Sequence, residues 1–116
     1  MARQEDQPIH LLITLLKSKW TISVLQALQE NRLRYSAIEK AIPQITQRAL
    51  TMTLRNLESN GILDRNAYSS IPPQVEYKLT ATGVDLLKLC KTMDMWAKEH
   101  EEDIHRARKA YVRRSR

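Results

Sequence analysis

Apolar positions along this chain fall into two rhythms, and the change from one to the other predicts the order of its elements. From Pro8 to Leu16, Ile9, Leu12, Ile13 and Leu16 keep the three-and-four spacing of one buried helical face, and Pro8 suits a first turn. The pattern breaks between Lys17 and Lys19. It resumes from Trp20 with Ile22, Val24, Leu25 and Leu28 as the inward stripe of a second helix, closed by Asn31, a residue that tolerates left-handed backbone. Ser36-Ala37-Ile38-Glu39 reads as a capping box, with the serine oxygen on a first-turn N–H and the glutamate reaching back. The short helix it opens ends before Pro43, whose ring disfavours helical geometry at Ile42. Gln44-Ile45 then makes a turn, and Thr46 caps a further helix. There Leu50, Leu54 and Leu57 face inward while Arg48, Thr51, Met52, Arg55 and Ser59 lie around the other side. Asn60-Gly61 stops it, because Gly61 can take positive φ.

Beyond Gly61 the period shortens to two. Ile62-Leu63 returns to the core, Arg65 to Tyr68 reads as a strand, and Ser69-Ser70-Ile71-Pro72-Pro73 forms a stiffened hairpin tip. On the return strand Val75, Tyr77 and Leu79 alternate with Glu76 and Lys78. Thr80 caps a long last helix in which Gly83, Leu86, Cys90, Met93, Ala97, His100, Ile104, Ala107 and Tyr111 recur at heptad spacing beside a second stripe with Leu89 and Trp96. A lone domain has no use for both stripes. The simplest account is that one covers the parent domain and the other meets a second copy across a two-fold axis, as a homodimer. The expected fold is mainly α with a small β-hairpin wing: a winged helix-turn-helix at 8–111, dimerising through N- and C-terminal helices at 8–30 and 80–111. A flexible N-terminus at 1–7 and a basic tail at 112–116 flank it.

Composition narrows this further. A chain of 116 residues with 42% hydrophobic and 28% charged residues is one ordinary folded domain rather than a disordered segment. Phe is absent, so the core is built from aliphatic side chains, which favours helices. The net charge of +6 belongs to the tail: Arg106, Arg108, Lys109, Arg113, Arg114 and Arg116 carry no acid among them, and the other bases balance the 13 acids. That tail is either a solvated helix end or an arm along phosphates. No apolar run approaches the roughly 20 residues of a membrane span, and the polar, acidic N-terminus does not read as a secretory signal, so a cytoplasmic address is expected. Cys90 stands alone, which rules out an internal disulfide framework and a cysteine-based zinc finger. His100 and His105 lie five apart, on different helix faces, beside acids that read as a solvated turn; no metal or cofactor is expected. His10 has no partner, and no nucleophile triad, paired-carboxylate or glycine-rich phosphate motif supports an enzyme.

The candidate chemistry is therefore recognition of double-stranded DNA. Near the N-terminal end of the helix opened by Thr46, Gln47 suits adenine, Arg48 guanine or phosphate, Thr51 a thymine methyl, and Arg55 backbone phosphate. Polar residues on a single helix face are more often merely solvated; the preceding helix-turn and following wing reverse that weighting here. Arg65, Asn66, Ser69, Ser70 and Gln74 sit on or beside the hairpin, within reach of phosphate or minor groove. Tyr68 is either a contact or packing at the wing base. Ser36 and Arg34 border the short helix, Arg34 as a phosphate contact or a surface ion pair. Cys90 is the candidate redox residue, although a lone cysteine on an apolar stripe is usually a small buried hydrophobe.

Lys19-Trp20-Thr21, Tyr35-Ser36, the run from Ile42 to Thr51 and Leu54-Arg55-Asn56-Leu57-Glu58 resemble the HxlR family. So do Gly61-Ile62-Leu63, Arg65, Tyr68 and Pro72-Pro73-Gln74-Val75-Glu76-Tyr77-Lys78-Leu79-Thr80-Ala81-Thr82-Gly83. The likeness covers about residues 17 to 100. It implies a dimeric bacterial winged-helix transcriptional regulator related to the MarR type, with first and last helices forming the dimer and one motif helix entering the major groove. Many such proteins sense oxidants through a cysteine near the N-terminus; residues 1–19 have none. Ser18 and Gln44 stand where that pattern has glycines. The inducing small molecule or redox signal is not legible. The competing classes are a protein-interaction winged helix that does not read DNA and, more weakly, an RNA-binding module, which would present stacking aromatics.

Overall fold

A computed structural model describes residues 7–115, so the expected flexible N-terminus falls, apart from Gln7, outside the described residues, as does Arg116. In chain order the elements are α1 (Pro8–Leu15), α2 (Thr21–Ala27), β1 (Leu33–Arg34), α3 (Tyr35–Ala41), α4 (Gln47–Ser59), β2 (Leu63–Tyr68), β3 (Gln74–Leu79) and α5 (Ala81–Ser115). This is the expected mainly helical fold with a hairpin wing. The sequence reading missed β1. The wing is a three-stranded antiparallel sheet in the order β1-β3-β2, with Leu33 opposite Tyr77 and Arg34 opposite Glu76 on one side of β3, and Arg65 opposite Tyr77 on the other.

One core cluster joins the elements: Val24, Leu25 and Leu28 from α2, Ile38 from α3, Leu50, Leu54 and Leu57 from α4, and Leu86, Leu87 and Cys90 from α5. Removing one of these leucines to alanine would cost about 2–5 kcal/mol in transfer and cavity terms. The stripe expected on α4 is the buried one. On α1 the packed side chains are Leu12, Leu15 and Leu16, whereas Ile9, Leu11 and Ile13 are more than half exposed. Ile9 and Ile13 thus do not join the buried face assigned to them. Ile22 likewise lies outside the core.

Several boundaries differ from the sequence reading for physical reasons. Helix α2 stops at Ala27 with Leu28 as its C-cap, and positive φ among the described non-glycine residues occurs only at Gln44, so Asn31 does not close the helix. The capping box at Ser36 does not form. Because Leu33 and Arg34 are held in the sheet, α3 begins at Tyr35 with extended Arg34 at the N-cap, and Ser36 is already inside the first turn. Pro43 does end this helix: Ala41 is its last residue and Ile42 leaves helical geometry. Thr46 caps α4 as expected, its Oγ1 accepting from the Ala49 N–H at 3.0 Å.

The end of α4 fixes the other half of the molecule. Gly61 takes φ +73° and its N–H donates to the Glu58 carbonyl, while the Ile62 N–H reaches back to Leu57, both at about 3 Å. This is the paired closure of a Schellman motif, completed by burial of Ile62 and Leu57. The Ile62 carbonyl then accepts from the Thr80 N–H at 3.1 Å, and Thr80 Oγ1 donates to the Gly61 carbonyl at 2.6 Å while accepting from Gly83 N–H at 3.0 Å. Helix α5 packs so closely here that a Cβ on Gly83 would stand 2.2 Å from the Ile62 oxygen. From this joint α5 runs 35 residues to Ser115, past the expected end at Tyr111, so the basic tail to Ser115 is helical. Its last buried residue is Cys90; the heptad positions Met93, Ala97 and Tyr111 are exposed, and Ile104 is half-buried. No helix is long and apolar enough to cross a membrane among the described residues.

Two substitutions test this reading. Gly83→Ala should destabilise by about 1–3 kcal/mol through overpacking, lowering the thermal midpoint by several degrees. Gln44 sits at φ 76° with an exposed side chain. Left-handed geometry costs a non-glycine residue about 1–2 kcal/mol, partly offset by the extra unfolded-state freedom of glycine. Gln44→Gly should therefore raise the unfolding free energy by up to about 1 kcal/mol, seen as a higher denaturant midpoint with an unchanged slope.

Candidate nucleic-acid interface

The helix-turn-helix is set by one tie between half-buried and exposed groups. Tyr35, the first residue of α3, donates its hydroxyl to the Gln47 carbonyl at 3.0 Å and accepts from Thr51 Oγ1 at 3.1 Å. The start of one motif helix is thereby pinned to the first turn of the other, and the carbonyl of a residue in α4 that has to face outward is anchored from below. Around this tie Gln47, Arg48, Thr51, Met52 and Arg55 line an open cleft of about 550 Å³. Gln47, Arg48 and Arg55 are exposed, as a reading surface requires, whereas Thr51 is half-buried with its hydroxyl committed to Tyr35. Thr46 is exposed but spends its oxygen on the cap.

The same cleft continues toward the wing. Arg55 and Arg65 line an adjoining depression with Tyr35, Thr51 and Tyr77, where Glu58 supplies the one carboxylate among the described lining residues. Three guanidinium groups, those of Arg48, Arg55 and Arg65, thus share one side of the molecule. Arginine forks of this kind match phosphate oxygens and guanine edges.

The wing is clamped beside its tip, from β1 and the residue just before it. Arg32 Nη1 donates to the Tyr68 hydroxyl at 2.9 Å, and Arg34 Nη2 donates to Gln74 Oε1. Arg34 is therefore neither free nor in a surface ion pair; it holds the return strand. Tyr68 is partly exposed and tethered rather than packed. At the tip, Ser70 donates to the Pro72 carbonyl at 2.7 Å, the Ile71–Pro72 bond is cis, and Ile71 is fully exposed. Ser69 is exposed beside it and Ser36 is exposed on α3. The candidate residues thus divide into a reading group on α4 and a wing group on the sheet and its tip, with Ser36 on α3 ahead of both α4 and the hairpin.

Sequence reasoning missed Arg32 and Tyr35 as parts of the site, while it placed Met52 on the outward side of α4, where the structure has it. Arg32 and Arg34 flank Leu33 with the alternation of a strand, yet two paired residues are too few for periodicity to register. Tyr35 was visible only as part of the family-like Tyr35-Ser36 pair. Met52, 60% exposed on the reading helix, is the apolar side chain there that a core argument does not account for.

Comparison with known proteins agrees with this geometry. The family model for HxlR-like helix-turn-helix proteins matches residues 15–105. An HTH-type transcriptional regulator of Methanothermobacter thermautotrophicus is 39% identical over 98 residues, covering 82% of this chain and 75% of that protein. The HTH-type transcriptional regulator YdeP of Bacillus subtilis is 35% identical over 109 residues, covering 91% and 85%. Among solved structures, a transcriptional regulator assigned to the MarR family from Enterococcus faecalis V583 superposes with a TM-score of 0.77 at 29% identity, covering 91% of this chain and 96% of that one.

Cys90 lies apart from the reading face, on α5 beneath Ile22 and Gln26 of α2, and is only 4% exposed. Burial pushes its thiol above the ordinary cysteine range, which keeps it protonated near neutrality and depresses the thiolate that oxidants and electrophiles attack. Its environment is that of a core residue. A disulfide-based thiol reagent should therefore label the native chain slowly at pH 7 and rapidly in denaturant, and the native rate should begin to rise at a higher pH than for an exposed thiol, because burial raises the pKa.

Proposed function

The chain belongs to the HxlR-like helix-turn-helix family of transcriptional regulators, and from that premise we propose that it acts in the cytoplasm as a homodimer on an inverted-repeat operator. Each protomer lays α4 in the major groove, the two half-sites lying about one helical turn, roughly 34 Å, apart. Gln47 and Arg48 read base edges. Arg55 and Arg65 hold phosphates, with the wing and its exposed Ile71 lying along the neighbouring minor groove.

One observation carries this reading: Gln47, Arg48 and Arg55 are exposed on a capped helix on the same side as Arg65, with nothing from the described chain covering them. Dimerisation is supported by apolar surface that a monomer leaves in water. Ile9, Leu11 and Ile13 on α1, and Leu89, Met93, Met95 and Trp96 on α5, are all exposed. Large apolar side chains gathered on two helices and left in water are the kind of surface a partner covers. The ion pairs on α5, Lys98 to Asp94 and Arg106 to Asp103, are exposed and add little; the helix needs a partner more than it needs those pairs.

Selection of bound duplexes from a random pool is the direct test, and it should return a palindromic consensus; an asymmetric or absent consensus would contradict the proposal. On the selected duplex, Arg48→Ala should cost about 1–3 kcal/mol and relax preference at its position. Arg55→Ala should weaken all duplexes alike and reduce the salt slope by about one.

A further inference from the structure

The basic end of α5 has no part in the reading of DNA by α4 and the wing. Residues 104–115 contain Arg106, Arg108, Lys109, Arg113 and Arg114 and no acid, and all five cations are exposed on continuous helix. Family likeness does not account for them, because the family model stops at residue 105. The helix dipole accounts for part: Arg113 and Arg114 lie in the last turn, where cations are favoured. Arg106, Arg108 and Lys109 lie earlier, where that effect has faded. Lys109 and Arg113, four apart, repel each other. The ion pair from Arg106 to Asp103 is solvated and weak. The segment therefore carries a positive charge that the described chain does not neutralise.

The arrangement is ordered. Arg106, Lys109 and Arg113 follow a three-then-four spacing, so they form one ridge about 10 Å long. Ile104, Ala107 and Tyr111 keep the same spacing on the opposite side, in line with the stripe through Met93 and Ala97. Covering that stripe with a second protomer leaves the ridge in water. The last buried residue of α5 is Cys90, which puts the ridge roughly 24–35 Å further along the helix. Its residues line neither of the clefts around Arg48, Arg55 and Arg65.

We propose that this ridge is a second DNA site, which grips backbone phosphates of a duplex without reading sequence, apart from the phosphates held by Arg55 and Arg65. Four of the five cations are arginine, whose fork matches phosphate oxygens. Each strand of a duplex offers a charge every roughly 3.4 Å of axis, so the ridge spans about three of them. A membrane surface fits less well. Helices that lie on membranes set Trp, Phe or Leu opposite their cations, whereas this ridge is backed by Ile104, Ala107 and Tyr111. The use of the ridge in regulation rests on the function proposed above; its attraction for phosphate does not require α4 to read anything.

A salt series on the full chain with a duplex of random sequence tests the ridge. Arg106→Gln, Lys109→Gln and Arg113→Gln together keep good helix formers. They should lower affinity for every duplex alike and reduce the salt slope by about three. Lys88, Lys91 and Lys98 are exposed nearer the body on the same helix, and their joint replacement by glutamine is a control of equal charge that should change the slope by less than about one. Arg106→Lys with Arg113→Lys keeps the charge and should keep the native slope. An unchanged slope in the ridge variant, an equal loss in the control, or an equal loss in the lysine variant would each overturn the proposal. So would a ridge variant that releases phosphatidylglycerol vesicles but not DNA. Comparing the selected duplex with and without long flanks locates the phosphates: an effect confined to the flanked duplex puts them on the same DNA, and bridging of two labelled duplexes puts them on a second one. Repeating the salt series with Arg48→Ala and Arg55→Ala separates this site from the proposed operator. A slope difference that survives there keeps the ridge whatever becomes of the operator; a palindromic consensus with no slope difference keeps the operator and removes the ridge.

Discussion

Three elements meet at the carbonyl of Ile62. It lies just past the Schellman closure of α4, receives the Thr80 N–H at the start of α5, and lies against the bare Cα of Gly83. Helix, sheet and long helix are therefore oriented by a few short contacts rather than by the bulk of the core alone. Any side chain at Gly83 would force α5 away from this carbonyl. The direction in which α5 leaves the domain also depends on this joint, since beyond Cys90 no side chain of the helix is fully buried against its own protomer. In a homodimer the distance between the two reading helices would be set here, far in sequence from the residues that touch DNA.

Much of this was legible in the sequence because it was written in strong local chemistry. Thr46 before a helix, Gly61 after it, and leucines at 50, 54 and 57 are signals in which capping, backbone freedom and periodicity agree, and the structure has each of them. The family-like run through the wing extended the reading to the sheet. What failed was decided by contacts distant in sequence. Ser36-Ala37-Ile38-Glu39 had the composition of a capping box, but pairing of Leu33 and Arg34 with β3 delivered the chain to Tyr35 already poised for the first helical turn. A cap signal four residues long could not register a strand whose partner lies more than forty residues away.

The site shows the same division. Residue types on α4 were readable because a polar face opposite three leucines is a local fact. Their support was not readable: Tyr35 beneath Gln47 and Thr51, and Arg32 and Arg34 holding Tyr68 and Gln74, are interactions between elements. Gln44 illustrates the point from the other side. The resemblance marks its position as a glycine site, and its positive φ gives the physical reason, although the residue actually present gives no local hint of it.

The clamp on the wing has an evolutionary corollary. Because Arg32 and Arg34 fasten the two strands of the hairpin at Tyr68 and Gln74, residues 69–73 form a loop between fixed ends beyond the clamped strands. Lengthening a loop between fixed ends costs little, growing only with the logarithm of its span. Lineages could therefore trim or extend this fingertip one residue at a time and retune how far it reaches, without renegotiating the stability of the body that carries it.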